Sequence, residues 1–151
     1  MPSESASHAS EVTVLLVDDS KTIRRSASSF LSTAGFSVIT AVDGFDALSK
    51  VVEHRPAMVF VDITMPRLDG YQTCALIKNN PDYRGIPVVM LSSKDGLFDK
   101  ARARIVGSDA HLSKPFTADT LTATVYKFTN AQSAPDSVPA SGEIAAMDTI
   151  D

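Results

Sequence analysis

Three aspartates, two serines and a lysine stand where apolar runs break off: Asp18 and Asp19 in "VDDS", Asp62 in "VFVDITMPRLDG", Ser92 and Ser93 in "MLSS", Lys114 in "SKPF". Asp62 is the most telling, because Val59, Phe60, Val61 and Ile63 around it are β-branched or aromatic. A carboxylate closing a buried strand costs several kcal/mol of desolvation unless a cation or hydrogen bonds compensate. Three such groups in one half-buried cleft repel, raise one another's pKa and require a cation. Oxygen ligands without a Cys and His cluster point to a hard ion. Mg²⁺ fits, because it binds a few carboxylates and keeps waters that a phosphate oxygen can displace. Lys114 adds a compact positive charge on a flexible stem. Between ion and ammonium, a carboxylate oxygen of Asp62 can attack a phosphoryl group while the growing charge is stabilised from both flanks. Asp62 is the expected phosphate acceptor.

That chemistry needs a scaffold that brings four separated segments together, and the hydrophobic pattern supplies one. "VTVLLV" at 12–17 is the continuous apolar run of a strand covered on both faces, and Ile23, Ala27, Phe30, Leu31 and Ala34 then recur at helical spacing. Gly35 stops that helix, "FSVIT" is a second strand, and Asp43 can cap a helix whose stripe is Phe45, Leu48, Val51 and Val52. "AMVFV" at 57–61 is a third strand, followed by a helix near 70–79. "IPVVML" at 86–91 is a fourth, "LFDKARARIV" a fourth helix with little apolar moment, "AHLS" a fifth strand, and Thr117 opens a last helix with Leu121, Val125 and Phe128 inward. Repeated strand and helix with short connections imply right-handed crossovers and an α/β/α sandwich on a doubly wound parallel sheet. In such a sheet ligands bind outside the carboxyl ends of the strands, which is where these polar residues fall.

Composition bounds the rest. The 151 residues are 44% hydrophobic and 21% charged, enough for one core of ordinary size, read as a domain over 12–129. Residues 1–11 and 130–151 are Ser-, Ala- and Pro-rich without periodic apolar positions and read as disordered tails. With 14 Lys and Arg against 18 Asp and Glu, the formal charge of −4 gives no broad drive toward nucleic acid or anionic membrane. Cys74 is the lone cysteine, so no intrachain disulfide forms, and it reads as a packing residue. No secretory signal opens the sequence and no run approaches the roughly 20 apolar residues of a membrane span, so a cytoplasmic location is expected.

The motifs "VDDS", "VDITMPRLDG", "MLSS" and "SKPF" resemble the receiver domain of bacterial two-component response regulators over residues 12–129. The resemblance implies a flavodoxin-like sheet of strand order 2-1-3-4-5 and an acyl phosphate on Asp62, donated by a histidine kinase. It implies Mg²⁺ held by Asp19 and Asp62, by Asp18 directly or through water, and by the backbone carbonyl of Thr64. Ser92, with Ser93 beside it, is the hydroxyl that turns toward the phosphoryl oxygen, and Lys114 its ionic contact. A cis peptide between Lys114 and Pro115 would aim the ammonium inward. Longer stretches, "VDDSKTIRRSA", "TAVDGFDAL" and "FVDITMPRLDGYQTCALIKNN" among them, are similar to the stand-alone receivers of the chemotaxis-like system controlling type IV pili and twitching motility. A downstream motility or pilus regulatory protein is then the expected partner, met by a monomer or weak dimer without direct nucleic-acid binding.

Several residues carry mechanical roles. Pro66 with "LDG" shapes the turn beyond the site, Gly70 gives backbone freedom at the entry to the third helix, and Gly107 permits a tight turn before the fifth strand. His111 occupies the fifth-strand position where many members of this family carry an aromatic switch; its ring is expected on the output face, or simply as a packed imidazole. Lys100, Arg102 and Arg104 on the fourth helix form a basic group that could meet an acidic partner.

Two other classes compete. A Mg²⁺-dependent aspartate-nucleophile phosphatase needs a second acid two residues past its nucleophile, where this sequence has Thr64, and a cap that the short connections do not allow. A scaffold without chemistry leaves the convergence of Asp18, Asp19, Asp62 and Lys114 unexplained.

Overall fold

The structure, a computed structural model, describes residues 12–93 and 98–129. The expected tails at 1–11 and 130–151 lie outside the described residues. Strands and helices alternate: β1 (Thr13–Val17), α1 (Lys21–Thr33), β2 (Ser37–Ala41), α2 (Gly44–His54), β3 (Met58–Asp62), α3 (Gly70–Lys78), β4 (Val88–Ser93), α4 (Lys100–Ile105), β5 (Ala110–Lys114) and α5 (Ala118–Thr129). All four strand pairings are parallel and the order is β2-β1-β3-β4-β5, as expected.

The near-continuous apolar runs follow from this order. β1, β3 and β4 are interior strands, so alternate residues feed two cores. Leu15, Val17, Val59, Val61, Val88 and Met90 pack with Ala47, Val51, Cys74 and Ile77 under α2 and α3. Val14, Leu16, Met58, Phe60, Val89 and Leu91 pack with Ala27, Leu31, Leu121 and Val125 under α1 and α5. The edge strands β2 and β5 are correspondingly less buried.

Helix starts are set by side-chain caps. Ser20, Asp43, Asp69 and Asp99 accept from the backbone N–H groups of Ile23, Asp46, Gln72 and Arg102, which otherwise have no partner inside the helix. Asp99 therefore starts the fourth helix at Lys100, and the expected start at Leu97 lies outside the described residues. The apolar stripe expected on α2 also needs correction. Gly44, Ala47 and Val51 face the core, while Phe45 is 58% and Val52 60% exposed. At roughly 100° per residue, Phe45 and Val52 lie about a third of a turn from that inward line.

Two glycines earn their positions differently. Gly107 follows α4 with φ +84°, the left-handed turn expected of it. Gly70 does not have a positive φ; a Cβ there would lie 2.5 Å from the Asp62 carbonyl oxygen and 2.7 Å from Ile63 Cα. The reason for glycine is close packing of α3 on the end of β3, not the backbone freedom expected from the sequence. The Lys114–Pro115 peptide is cis. Among the described residues no helix is long and apolar enough to cross a membrane.

Candidate functional site

The sheet register places the chemistry-bearing residues on one edge. Val17 pairs with Val61, so Asp18 follows β1 beside Asp62 at the end of β3, across the point where strand order reverses. Asp62 pairs with Leu91, which puts Ser92 one residue beyond, and Ser93 pairs with Lys114. Ligand oxygens of Asp18, Asp19 and Asp62 all lie within 4.8 Å of one another. Asp18 is fully buried and Asp62 nearly so, whereas Asp19 is exposed and can meet an ion from solvent.

Hydrogen bonds fix the two buried carboxylates. Asp18 Oδ1 accepts from the Ser20 N–H at 2.9 Å, and Arg24 Nη1 donates to the Asp18 carbonyl at 2.8 Å, locking the β1–α1 turn. Asp62 Oδ1 accepts from the Thr64 N–H at 3.3 Å. Lys114 Nζ donates to Asp18 Oδ2 at 3.0 Å and to Asp62 Oδ1 at 3.3 Å, bridging the strands.

One ammonium does not cancel the site. The Asp62 carboxyl is pushed from its ordinary 3.8 up to about 6, by burial first and the Asp18 charge second, against the pull of Lys114 and the Thr64 N–H. Burial works against the Lys114 charge too, yet its hydrogen bond to Asp18 and the charges of Asp18 and Asp62 outweigh this and raise its pKa. The arrangement retains unbalanced negative charge, and a small divalent cation among these oxygens would neutralise it. The donor set, carboxylates without thiolate or imidazole, suits a hard ion.

The loop beyond Asp62 is strapped down. Met65 is buried, Arg67 adopts φ +67° and its guanidinium lies 2.7 Å from Asp43, the cap of α2. Pro66 is exposed at this turn and its carbonyl accepts from Leu68 N–H at 2.7 Å. Thr64 is exposed two residues past Asp62. Cys74 is buried, its thiol pushed up to about 12 by desolvation, which fits the packing role read from the sequence.

The His111 ring lines a cavity with Lys100 and Arg104 of α4, and Ser92 Oγ and His111 Nε2 are 2.6 Å apart. Phe98 stacks on the imidazole at 3.8 Å between centroids, and Tyr71 follows at 6.3 Å. Sequence reasoning assigned no role to Phe98 or Tyr71. The available signal was Asp99: as the helix cap it makes Phe98 the residue before the cap, where an apolar side chain often packs back on the first turn. Arg102, grouped with Lys100 and Arg104 in the basic set, instead lies over the Tyr71 ring at 4.5 Å and 3.6 Å from Asp69.

Comparison with known proteins gives this edge a lineage. Residues 14–126 match the response regulator receiver domain. Protein PilG of Pseudomonas aeruginosa is 64% identical over 108 residues, covering 72% of this chain and 80% of that protein. Response regulator MprA of Mycobacterium sp. (strain KMS) is 34% identical over 141 residues, which span 93% of this chain but only 60% of MprA. Among solved structures, chemotaxis protein CheY4 of Vibrio cholerae superposes with a TM-score of 0.72 at 33% identity, covering 78% of this chain and 98% of that one. The receiver domain of NtrX from Brucella abortus gives 0.71 at 31% identity, covering 79% and 99%. Every carboxylate, hydroxyl and ammonium described above falls inside the matched span, and the chain belongs to the response regulator receiver domain family, whose members are signalling proteins.

Proposed function

We propose that this protein accepts a phosphoryl group on Asp62 from a histidine kinase and signals by binding another protein in its phosphorylated state. The observation that carries this reading is the position of Asp62: nearly buried, within 4.8 Å of two further carboxylates, and 3.3 Å from Lys114 Nζ. Asp18, Asp19 and Asp62, with the carbonyl of Thr64, would hold Mg²⁺, which when bound neutralises the charge growing on the transferred group. A carboxylate oxygen of Asp62 forms the new bond to phosphorus while the bond from phosphorus to the donor imidazole nitrogen breaks and that nitrogen keeps the electron pair. Lys114 then contacts one phosphoryl oxygen and Ser92 another, with Ser93 at the rim. Water later hydrolyses the acyl phosphate slowly, returning the Asp62 carboxylate and inorganic phosphate.

The identity to Protein PilG, together with the sequence resemblance to stand-alone receivers of the type IV pilus system, supports a role in pilus or twitching-motility control. Its output surface is the face of α4, β5 and α5, where Lys100 is exposed and Arg104 stands one turn further along the helix.

Intact mass after incubation with a small acyl-phosphate donor and Mg²⁺ tests the reading. One phosphoryl group should add to the wild type and none to Asp62→Asn, whose amide is a poor nucleophile. Equal labelling of both removes Asp62 from the role, and sustained turnover of a phosphomonoester would favour the phosphatase.

A further inference from the structure

Charge is divided unevenly along this chain. All 14 Lys and Arg lie within residues 12–129, together with 12 of the 18 Asp and Glu. Residues 130–151 carry Asp136, Glu143, Asp148 and Asp151 and no base. Within 143–151, three of these acids alternate with Ile144, Met147 and Ile150.

The opposite charge gathers on α4. Lys100, Arg102 and Arg104 are exposed on a six-residue helix that holds no acid. Arg102 turns toward α3, 3.6 Å from Asp69. Lys100 and Arg104 instead line a cavity of about 110 Å³ with Phe98, Ala103 and His111. Asp109, the acid in that lining, is 2.9 Å from Lys78, so the cavity wall stays basic. Ile105, about 200° round the helix from buried Ala103, is 83% exposed, the most exposed large apolar side chain among the described residues. A basic helix that also shows an isoleucine to water suits a segment that is both acidic and apolar.

The end of α5 puts such a segment within reach. Tyr126 packs edge-on against Phe36, just ahead of β2, so α5 ends at the sheet edge opposite Asp62. The cavity lies at that same edge, since Ser108, Asp109 and Ala110 at the start of β5 line it. The edge strand β5 separates the two helices: Ala103 of α4 belongs to one core, Leu121 and Val125 of α5 to the other. Crossing it covers about 20 Å, two layer spacings of roughly 10 Å each. Residues 130–142 supply 13 links, and an unordered chain of that length spans about 20 Å on average.

We propose that residues 143–151 dock on the α4–β5 face of their own chain, with Glu143, Asp148 and Asp151 against Lys100 and Arg104, and Ile144, Met147 and Ile150 against Ile105 and the cavity. An acidic partner protein must displace this segment to reach the same surface. Tethering holds the segment at a local concentration near millimolar, so a contact that is weak between separate molecules still occupies the face. The inference rests on the reading of that face as the output surface.

Paramagnetic broadening in the full-length protein tests it. A spin label on Ser141→Cys sits beside the segment, and Cys74, buried with its thiol pushed up to about 12, does not compete for the label. At low salt the amides of Lys100, Ile105 and Ala110 should broaden more than those of α2. Salt at about 0.5 M, which screens charges within a few Å, should remove most of that broadening. Glu143→Gln, Asp148→Asn and Asp151→Asn together should do the same. Uniform broadening, broadening centred on Phe45 and Val52, or a pattern insensitive to both treatments overturns the proposal. Mixing spin-labelled chains with isotope-labelled chains that lack the spin label should give no broadening; broadening there assigns the contact to a second copy and overturns docking within one chain. A synthetic peptide of residues 143–151 should shift the same amides in the neutralised variant, and wild type should need about twofold more peptide or beyond. Equal titrations overturn the proposal. If the mass assay shows no phosphoryl uptake, the phosphoacceptor reading falls while the broadening still decides the contact. If uptake is normal and α4 shows no broadening, this inference alone falls.

Discussion

Lys114 Nζ reaches Asp62 Oδ1 at 3.3 Å across 52 positions of sequence, from the end of the edge strand to the end of the central one. The same ammonium contacts Asp18, so among the described residues one cation is shared by two buried carboxylates. Its removal and its competition with a divalent ion are therefore measurable quantities.

Lys114→Ala should destabilise the metal-free protein by on the order of 3 kcal/mol at neutral pH, because it strips the partner from buried charges. Mg²⁺ should recover part of that loss. Urea unfolding with and without the ion checks both; a variant as stable as wild type would mean that the bridge contributes nothing net.

Acidity should change stability with a definite sign. The native Asp62 pKa, about 6, lies above its ordinary 3.8, so the folded state takes up the proton more readily. That contribution is fully present below about pH 3.8 and is lost as the pH rises through about 6. Asp62→Asn should flatten this segment of the metal-free stability curve. In wild type, protons and Mg²⁺ compete for the carboxylate, so ion affinity should weaken as the pH falls below about 6. An affinity constant from pH 7 to pH 5 would contradict the assignment.

Asp19→Asn should weaken Mg²⁺ binding more than Ser92→Ala does, since it removes an exposed anionic oxygen from the cluster while the hydroxyl is engaged with His111. Calorimetric titration of the two variants is sufficient. Equal losses would place the ion elsewhere.

Gly70→Ala should cost about 2–3 kcal/mol and disturb the phosphate site from the outside, because its methyl group would press into the Asp62 carbonyl. Paired unfolding and mimic titrations should show both losses. A neutral alanine would mean that α3 shifts freely against β3.

The sequence by itself determined the alternation of elements, the strand order through resemblance, and the edge where Asp18, Asp19, Asp62, Ser92 and Lys114 meet. Runs such as 12–17 and 86–91 read as strands covered on both sides; β1 fits within one residue, while β4 runs two residues later, Val88–Ser93, so that Ser92 and Ser93 close the strand itself. Where a side chain meets one distant in sequence, pattern was silent. Phe45 and Val52 looked like core on α2, but the helix turns Gly44, Ala47 and Val51 to the core and leaves those two exposed. Gly70 looked like a source of backbone freedom at the entry to α3, whereas the end of β3 leaves no space for a Cβ. The sequence left open whether the His111 ring is packed; the register Met90 with His111 and Ser92 with Ser113 sets it beside the Ser92 hydroxyl, and Phe98 closes over it. Spacing along the chain fixes which strand end a residue occupies, but the direction of its side chain depends on packing across strands and helices, which only the tertiary structure decides.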